Sequence, residues 1–527
     1  ADLGAPLAPP LAGPVASEGR AFGFLGMQRR CCLRRRRRAN IDAARGIDVD
    51  DSNARVRLWR QTESWPIENA KDIDATWLSK FPLSTRGRHI VDRQGGRFKL
   101  AGVNWYGASD EYHTVGGLDV QRLDVICKTI RQLGFTVVRL PFSNQMLRET
   151  EPVAGSVNFD LNPHLRTLTP IQIMDEVVKE LGRQKVAVIL NNHTTFGAWS
   201  GGVESNGMWF AQGGAQTPWG EHDEAHWIED WCMLASRYAQ CAHVIGYDLR
   251  NEVRLAVTWR GPCGMFPWLR WPVFRSRVRP PVVENGTECV DDDHECALAV
   301  RLDWARAAAD CAVQLHQVNS EALVVVERVC WPQWSLHDYI ASPGPLLPQL
   351  AGKLVLAVHS YSWSGPGRFL VRWGVPRWLH PIARAVASTG LLSWRNHGDM
   401  IASDGAELRE LMKKEWGFVL EQEQCPVWVS EFGCSRYKPD EMAWMSIFVD
   451  ILHELDADWA YWPLNVGPKP GSQEPEHYGM LTESWEAPPE GSDPRLLMLQ
   501  TIMRPIDARE GSARRSAWNE GDPRGPA

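Results

Sequence analysis

Eight short apolar runs, spread between residues 100 and 463, constrain the fold more than any other feature of the sequence. Each is rich in β-branched or aromatic side chains and is apolar almost throughout. Such runs are typical of strands that are buried on both faces of a parallel sheet. The runs are Leu100–Trp105, Phe135–Leu140, Val186–Asn191, Val244–Leu249, Ala322–Glu327, Leu354–His359, Val427–Glu431 and Trp459–Pro463.

Amphipathic stretches with apolar residues at helical spacing lie between these runs. They are Leu118–Leu133, Ile171–Leu181, Glu224–Ala239, Ala297–Val318, Ala406–Glu421 and Asp440–Leu455. Strands that alternate with helices predict an α/β fold, and eight such units predict a (β/α)8 TIM barrel with long βα-loop insertions. The alternative is a doubly wound open sheet, which needs a glycine-rich phosphate turn that the sequence lacks. Residues His89–Leu100 predict an N-terminal β-hairpin that turns at Gly95 and Gly96.

The two ends of the chain differ in composition from the barrel region. Residues 1–75 predict a disordered or leader segment, 76–505 the barrel domain, and 506–527 a polar C-terminal tail. The arginine-rich run Arg29–Arg38 is compatible with a nuclear-localisation or nucleic-acid patch. We expect a solvated leader instead, because no nucleic-acid-binding fold follows it.

Charge and hydropathy exclude two classes of partner. The net charge of −7 gives no general attraction to nucleic acid, and we expect none as a partner. No apolar run reaches the roughly 18 to 20 residues that cross a bilayer, so we expect no transmembrane segment. We expect the protein to be a monomer.

The 12 cysteines show no zinc-ligand spacing, so we predict no structural metal. Cys263, Cys289 and Cys296 lie in one polar insertion together with the glycosylation sequon at Asn285. Possible disulfides beside a sequon favour a secreted, extracellular location. The acidic run Asp291–Glu295 lacks the spacing of a calcium loop, and we expect a solvated loop there.

Polar, ionisable or indole side chains stand where seven of the eight runs end. In chain order they are Trp105, Arg139, Asn192 with His193, Asn251 with Glu252, His359 with Tyr361, Glu431, and Trp462. Each alone has a structural explanation, such as an ion pair for Arg139 or a helix cap for Glu431. Because the C-terminal strand ends of a barrel meet on one face, their agreement favours an active site.

Two carboxylates on different strands suit glycoside hydrolysis. That reaction needs one carboxylic acid to protonate the leaving oxygen and one carboxylate on the other face of the sugar. Arg139 and the Tyr361 hydroxyl would keep Glu431 ionised as the nucleophile, while the less compensated Glu252 would keep its proton. The chemistry requires no cofactor and no metal.

The same residues resemble glycoside hydrolase family 5, the cellulase-like barrels of clan A. The resemblance runs from about residue 83 to 505 and rests on DLRNEVR around Glu252, VWVSEFG around Glu431, LNNHT, VVRLP and His359-Ser-Tyr361. Within the family, the sequence most resembles a plant and protist cellulase-like group. The resemblance implies a retaining enzyme in which Glu252 is the acid/base, Glu431 the nucleophile, Asn251 the ligand of the sugar 2-hydroxyl and Trp462 the floor of the −1 subsite. It also implies that Arg139, His193, His359 and Tyr361 orient these groups, with Trp105 beside them.

Several positions depart from the family pattern. Val253 stands where the family commonly has Pro after Asn-Glu, and Asn191-Asn192-His193 stands where many members carry Asp-x-His. The insertions at about 254–300 and 362–400 have no counterpart and leave the substrate open. We expect a β-linked glucan or mannan, as oligosaccharide or polysaccharide.

Three alternatives remain open at this point. A transglycosylase or glycolipid β-glycosidase would use the same site, with Phe266, Trp268, Leu269 and Trp271 as an apolar lipid contact. A non-catalytic carbohydrate-binding barrel would not need both glutamates. A metal-dependent barrel hydrolase would need an HxH strand end, which is absent.

Tryptophan is unusually abundant, with 26 residues against 15 Phe and 9 Tyr. By these strand boundaries most of the indoles lie at C-terminal strand ends or in the loops that follow. Because indole faces stack on pyranose rings, we predict an indole-rich saccharide cleft on that face.

Overall fold

A computed structural model of the chain describes residues 71–199, 207–211, 217, 219, 222–253, 304–328, 350–364, 395–467 and 476–506. All of these residues belong to one unit that spans Trp59–Ala527. The predicted leader and tail lie almost wholly outside the described residues, and the domain boundaries stay predictions. Within the described residues, no helix is long and apolar enough to cross a membrane.

The structure contains ten strands in its described part. A small hairpin is formed by β1 (Ser84–Arg86) and β2 (His89–Val91). The other eight are β3 (Ala101–Asn104), β4 (Val137–Ser143), β5 (Ala187–Thr194), β6 (Val244–Asp248), β7 (Leu323–Glu327), β8 (Leu354–His359), β9 (Val427–Phe432) and β10 (Asp458–Tyr461). These eight pair in parallel in sequence order, and β10 pairs with both β9 and β3, so the barrel is closed. The predicted (β/α)8 barrel is confirmed, and every residue of its strands is buried.

Helices follow the barrel strands at the predicted places. The described ones are α1 (Ala75–Leu78), α2 (Leu123–Gln132), α3 (Pro170–Arg183), α4 (Glu224–Arg237), α5 (Trp304–Val318), α6 (Ala402–Met412), α7 (Phe418–Glu421), α8 (Pro439–Glu454) and α9 (Pro494–Gln500). Local signals set several boundaries. A capping box between Thr169 and Gln172 begins α3, with Pro170 in its first turn. The side chain of Asp223 accepts the main-chain N–H of His226 and begins α4.

The segment predicted as one helix over Ala406–Glu421 is continuous but irregular. Residues Ser403–Gly405 have left-handed φ angles, so regular helix begins only after them. A π-helical turn, Lys413–Gly417, then joins α6 to α7. The two predicted insertions follow β6 and β8, and most of both lies outside the described residues.

The N-terminal hairpin lies one turn earlier in the chain than predicted. Its strands pair Ser84 with Val91 and Arg86 with His89, and the chain turns at Gly87 with a φ of +54°. The predicted Gly95–Gly96 turn also forms, but only the isolated bridge between Val91 and Arg97 pairs the chain after it. The polar run Ser84–Arg86 is too short to show a strand pattern, whereas the pair Gly95–Gly96 is a strong turn signal. The sequence therefore predicts the hairpin around the glycine pair.

Apolar side chains fill the end of the barrel where the strands begin. Phe81, Leu83 and Ile90 of the hairpin region pack there against residues near the strand starts. These partners are Leu100, Val137, Ala187, Ile189, Ile245, Leu323, Val325, Val355, Ala357, Trp428 and Ala460. The hairpin therefore closes the N-terminal end of the barrel, opposite the strand ends that carry the predicted site residues.

The indole-rich cleft is found only in part. Nine tryptophans of the described residues are fully buried: Trp105, Trp209, Trp227, Trp231, Trp304, Trp416, Trp428, Trp444 and Trp459. Two of these, Trp105 and Trp209, directly follow β3 or lie in the loop after β5, where the cleft is predicted. Trp209 instead packs on Trp227 and Trp304, with ring centroids 6.4 and 5.2 Å away.

The described cysteines are all buried free thiols: Cys127, Cys232, Cys241, Cys311, Cys425 and Cys434. Cys263, Cys289 and Cys296, the sequon at Asn285 and the acidic run Asp291–Glu295 lie outside the described residues. The predicted extracellular location therefore stays a prediction.

Candidate active site

The C-terminal strand ends bring together all of the predicted site residues except Trp105. Strand register sets two of the contacts directly. Asn104 pairs with Arg139 across β3 and β4, and His359 pairs with Glu431 across β8 and β9. The side chains of these strand ends point into one buried polar cluster.

Arg139 is the centre of this cluster and is fully buried. Its guanidinium donates hydrogen bonds to Asn104 Oδ1 (2.9 Å), Asp248 Oδ2 (2.8 Å), Asn251 Oδ1 (2.9 Å), Glu327 Oε1 (2.7 Å) and Glu431 Oε1 (2.5 Å). Burial alone would lower the pKa of Arg139, but the charges of Asp248, Glu431 and Glu327 raise it above its ordinary value. One permanent cation thus orients five side chains from the ends of four strands, β3, β6, β7 and β9.

Glu431 lies on β9 and both of its carboxylate oxygens accept hydrogen bonds. Oε1 accepts from Arg139 at 2.5 Å, and Oε2 accepts from the Tyr361 hydroxyl at 2.9 Å. The pKa of Glu431 is raised above its ordinary value, chiefly by burial and also by the charges of Glu252 and Glu327, although the positive charges of His359 and Arg139 oppose this. Both donors bind the ionised form and fix the direction of its oxygens.

Glu252 follows β6 and is less buried than Glu431, with 18% of its side chain exposed. Its backbone has a φ of +40°, in the left-handed region that a residue with a side chain rarely occupies. Its main-chain N–H donates to Glu327 Oε2 at 2.8 Å. Its Oε1 lies 3.2 Å from His359 Nδ1.

His359 lies between the two glutamates. Its Nδ1 is 3.2 Å from Glu252 Oε1 and 3.4 Å from Glu431 Oε2. Its Nε2 is 3.1 Å from Ser430 Oγ and 3.4 Å from Glu327 Oε2. Burial would lower the pKa of His359, but the charges of Glu327 and Glu431 raise it to about 10. The imidazole is therefore protonated at neutral pH.

One ligand atom from each of Glu252, His359 and Glu431 lies within 4.8 Å of the others. Such a group could hold a metal ion by spacing alone. A histidine ligand must be neutral, however, and His359 carries a proton among its carboxylates. With His359 protonated, the three groups are arranged for proton transfer, and the absence of a metal stays a prediction.

Trp462 forms an aromatic floor beside the glutamates and is 7% exposed. The ring of His193 is stacked with it, with centroids 5.5 Å apart and an interplanar angle of 8°. Tyr106 is stacked as well, at 5.3 Å and 17°. Trp199 meets the indole edge-on at 6.2 Å. Trp462 and Tyr106 also pack in one cluster with Tyr361, whose hydroxyl donates to Glu431.

Trp105 takes no part in this floor. It is fully buried, and its indole N–H donates to the Gly116 carbonyl at 2.9 Å. The structure therefore corrects the predicted position by one residue. The chain leaves β3 so that Trp105 turns into the packing behind the loop, and Tyr106 faces the site.

A cavity of about 780 Å³ adjoins this floor. Its walls come from the loops after β3, β4, β9 and β10, and include Tyr106, Asp110, Tyr437, Glu476 and Trp485. Asp110 is 1% exposed, and burial raises its pKa to about 7. Carboxyl groups beside aromatic rings are a suitable lining for a hydroxyl-rich ligand.

Sequence reasoning missed five residues of the cluster: Asn104, Tyr106, Asp248, Glu327 and Ser430. Glu327 carried the same signal as the others, because it ends the fifth predicted strand. Asp248 and Asn104 also stand at strand ends, but one apolar or aromatic residue follows each of them. Ser430 directly precedes Glu431 and has no distinguishing pattern.

Comparison with known proteins decides the family. The cellulase model, described as glycosyl hydrolase family 5, matches residues 91–467. The chain belongs to glycosyl hydrolase family 5. As predicted, this family 5 glycosyl hydrolase is a (β/α)8 barrel and a retaining β-glycoside hydrolase.

Two curated relatives and one solved structure illustrate the similarity. The family 5 chain is 26% identical over 434 residues to an endoglucanase of Paenibacillus polymyxa, which covers 80% of this chain and 87% of the relative. It is 33% identical over 255 residues to the major extracellular endoglucanase of Xanthomonas campestris pv. campestris, covering 48% of this chain and 50% of the relative. The structure is also similar to a variant of the Pyrococcus horikoshii endocellulase that was solved with cellotetraose. The TM-score is 0.56 and the sequence identity 22%, and the match covers 81% of this chain and 100% of that chain.

Proposed function

We propose that this family 5 hydrolase is an endoglucanase that cleaves internal β-1,4 bonds of a glucan. Glu431 is the nucleophile and Glu252 the general acid/base. The names of the two curated relatives and the cellotetraose bound to the Pyrococcus enzyme support the choice of substrate. The aromatic floor and the acid-lined cavity of this chain supply the apolar face and the polar acceptors that a glucan unit needs.

The spacing of the two glutamates carries the proposal. Their carboxylate oxygens lie within 4.8 Å of each other, with His359 between them. Retaining glycosidases hold their carboxyl groups roughly 5 to 5.5 Å apart, whereas inverting enzymes leave roughly 6.5 to 9.5 Å for a water molecule. The observed pair therefore has the spacing for direct attack on the sugar by one of the two.

The reaction runs in two steps. In the first, Glu431 attacks the anomeric carbon, the bond to the leaving oxygen breaks, and Glu252 gives its proton to that oxygen. In the second, a water molecule attacks the same carbon, Glu252 takes a proton from it, and the Glu431 carboxylate is released. The sugar keeps its anomeric configuration because it is inverted twice.

The nucleophile and acid have different surroundings, as this division of roles requires. Glu431 is more buried and accepts from Arg139 and Tyr361, which favour its ionised form. Glu252 faces the more open side, where a leaving group can depart and water can enter. Arg139 also donates to Asn251 Oδ1 at 2.9 Å, and so leaves the Asn251 amide N–H group to donate to the sugar 2-hydroxyl.

The first prediction tests the nucleophile. Glu431→Gln keeps the shape of the side chain but removes its negative charge. We expect hydrolysis of cello-oligosaccharides to fall to about one thousandth of the wild-type rate or less. The thermal unfolding midpoint, measured by circular dichroism, shows whether the variant is folded.

A substrate panel tests the specificity. Wild-type protein is incubated with β-1,4-glucan, mannan, xylan and a β-glycolipid, and the products are separated by chromatography. We expect internal cleavage of the glucan to dominate. Full activity of a folded Glu431→Gln variant would refute the catalytic assignment, and preferred cleavage of another polymer would refute the substrate.

The alternative functions are less well supported. The apolar residues proposed for lipid contact, Phe266, Trp268, Leu269 and Trp271, lie outside the described residues. A barrel that only binds carbohydrate would not need two glutamates held by Arg139, Tyr361 and His359 at the spacing of a retaining enzyme.

A further inference from the structure

Glu327 is a buried carboxylate at the end of β7 that the reaction above does not use. It is 2% exposed. Its two oxygens serve different partners. Oε1 accepts from Arg139 at 2.7 Å, while Oε2 accepts the main-chain N–H of Glu252 at 2.8 Å and lies 3.4 Å from His359 Nε2.

Glu252, whose main-chain N–H donates to Glu327, has a strained backbone conformation. A φ of +40° is unfavourable for a residue with a Cβ atom, so surrounding contacts must hold it. The hydrogen bond from the Glu252 N–H crosses from one strand end to the next. This hydrogen bond from the neighbouring strand therefore holds the main chain of Glu252, the proposed acid/base, in place.

The charge of Glu327 fits this role. Burial would raise the pKa of Glu327, but His359, Arg139 and the Glu252 N–H together lower it. An ionised acceptor makes a stronger hydrogen bond to a main-chain N–H than a neutral one. The same charge helps to keep His359 protonated, and His359 contacts the carboxyl group of Glu252.

We propose that Glu327 is a positioning residue that places the acid/base Glu252 by accepting its main-chain N–H and by anchoring His359. This inference rests on the proposed role of Glu252. A merely structural role, as a counter-charge for Arg139, would instead act on Glu431, to which Arg139 donates.

The two roles differ in their dependence on the leaving group. A 2,4-dinitrophenyl β-cellobioside has a leaving group that departs without a proton, whereas cellotetraose requires one. Misplacement of the acid therefore slows cellotetraose hydrolysis selectively. Disturbance of Arg139, and through it of Glu431, slows both substrates alike.

The experiment compares kcat/KM for both substrates in wild type and in Glu327→Gln. We expect about a 10- to 100-fold loss on cellotetraose and less than about a threefold loss on the aryl cellobioside, because general acid catalysis contributes roughly 10² to 10⁴. Added azide should accelerate turnover of the aryl substrate by the variant. It replaces water as the attacking nucleophile and needs no base.

Asp248→Asn is the matched control. Asp248 is also buried and also accepts from Arg139, at 2.8 Å, and we expect its loss to slow both substrates to the same degree. Glu252→Gln should reproduce the pattern of Glu327→Gln more strongly.

Equal losses on the two substrates in Glu327→Gln, or no loss on either, would overturn the proposal. If Glu327→Gln does not fold, Glu327→Asp is tested by the same ratio, since the shorter side chain withdraws the acceptor but keeps the charge. Failure of the proposed function itself would show differently, as wild-type protein that cleaves neither substrate.

Discussion

Tyr361 illustrates how single side chains tune the site. Its hydroxyl donates to Glu431 Oε2 at 2.9 Å, while its ring is stacked on Trp363 with centroids 4.5 Å apart. The ring contact fixes the side chain, so the hydroxyl can be removed without loss of the surrounding packing. The hydrogen bond and the position can thus be separated experimentally.

We expect Tyr361→Phe to lower kcat by about 10- to 100-fold, because a hydrogen bond to a charged group contributes roughly 1.5 to 3 kcal/mol. KM should change little, since the hydroxyl contacts the enzyme's own carboxylate. Steady-state kinetics on cellotetraose give both parameters.

Tyr247→Phe serves as the control for Tyr361→Phe. The Tyr247 hydroxyl accepts from Asn319 Nδ2 at 3.2 Å, away from the glutamates, and its removal should leave kcat unchanged. An unchanged kcat in Tyr361→Phe would show that the hydroxyl does not support the nucleophile.

At this scale the sequence predicts those site residues that directly follow or end an apolar run. It does not predict contacts that depend on the twist of the barrel. That Glu327 would reach the main chain of Glu252, 75 residues away, follows from the register of β6 and β7 and from no local pattern. The choice of Tyr106 rather than Trp105 likewise depends on how the loop leaves β3.

The boundaries of the helices and strands likewise depend partly on local sequence and partly on contacts with distant residues. All eight barrel strands are predictable, because burial on both faces leaves continuous apolar runs. The predicted start of α2 at Leu118 is wrong, and the helix begins at Leu123. The N–H of Leu123 is capped by Asn162 Oδ1 at 2.9 Å, from a loop 39 residues away, which no helical pattern reveals.

The hairpin β1–β2 is an element whose role can be tested separately from the site. Ile90 is fully buried between the hairpin and the strand starts. We expect Ile90→Ala to lower the free energy of unfolding by about 2 to 5 kcal/mol, the range for such a cavity. Well below the unfolding midpoint, kcat/KM should stay close to that of wild type, because Ile90 packs at the opposite end of the barrel.

Leu497→Ala is the control for Ile90→Ala. Leu497 lies on α9 and is 47% exposed, so its truncation should change stability by no more than about 0.5 kcal/mol. Denaturant unfolding and kinetics at 25 °C measure the two quantities. A loss of kcat/KM that parallels the loss of stability would show that the two ends of the barrel are coupled.

At the scale of the whole molecule, buried histidines set the response to acid. Burial lowers the pKa of His222 to about 3 and that of His243 and His397 to about 4. The unfolded chain binds protons at these positions below about pH 6.5, whereas the native state does so only near pH 4 or lower. The contribution of these three histidines to native stability therefore rises with pH between about 4 and 6.5 and is lost as pH falls through that window.

We expect the three histidines to lower the thermal midpoint between about pH 6.5 and pH 4, against the opposite effect of Asp110, whose buried carboxyl gains a proton below about pH 7. Each histidine contributes a slope of up to about 1.4 kcal/mol per pH unit. In His243→Gln, whose amide can still donate to the Val178 carbonyl as His243 Nε2 does at 2.9 Å, the slope should decrease by up to that amount. An unchanged slope in the folded variant would show that His243 does not contribute.

The lateral support of Glu252 also matters for how such an enzyme can diversify. Glu252, the proposed catalytic acid, stands immediately before the predicted insertion that begins at about residue 254, yet a side chain of the neighbouring strand holds its main-chain N–H. The position of Glu252 therefore depends on Glu327 rather than on the segment that follows Val253. For protein engineering, the peptide bond after Val253 becomes a natural graft point, where foreign loops could be exchanged to alter substrate range while the acid keeps its place.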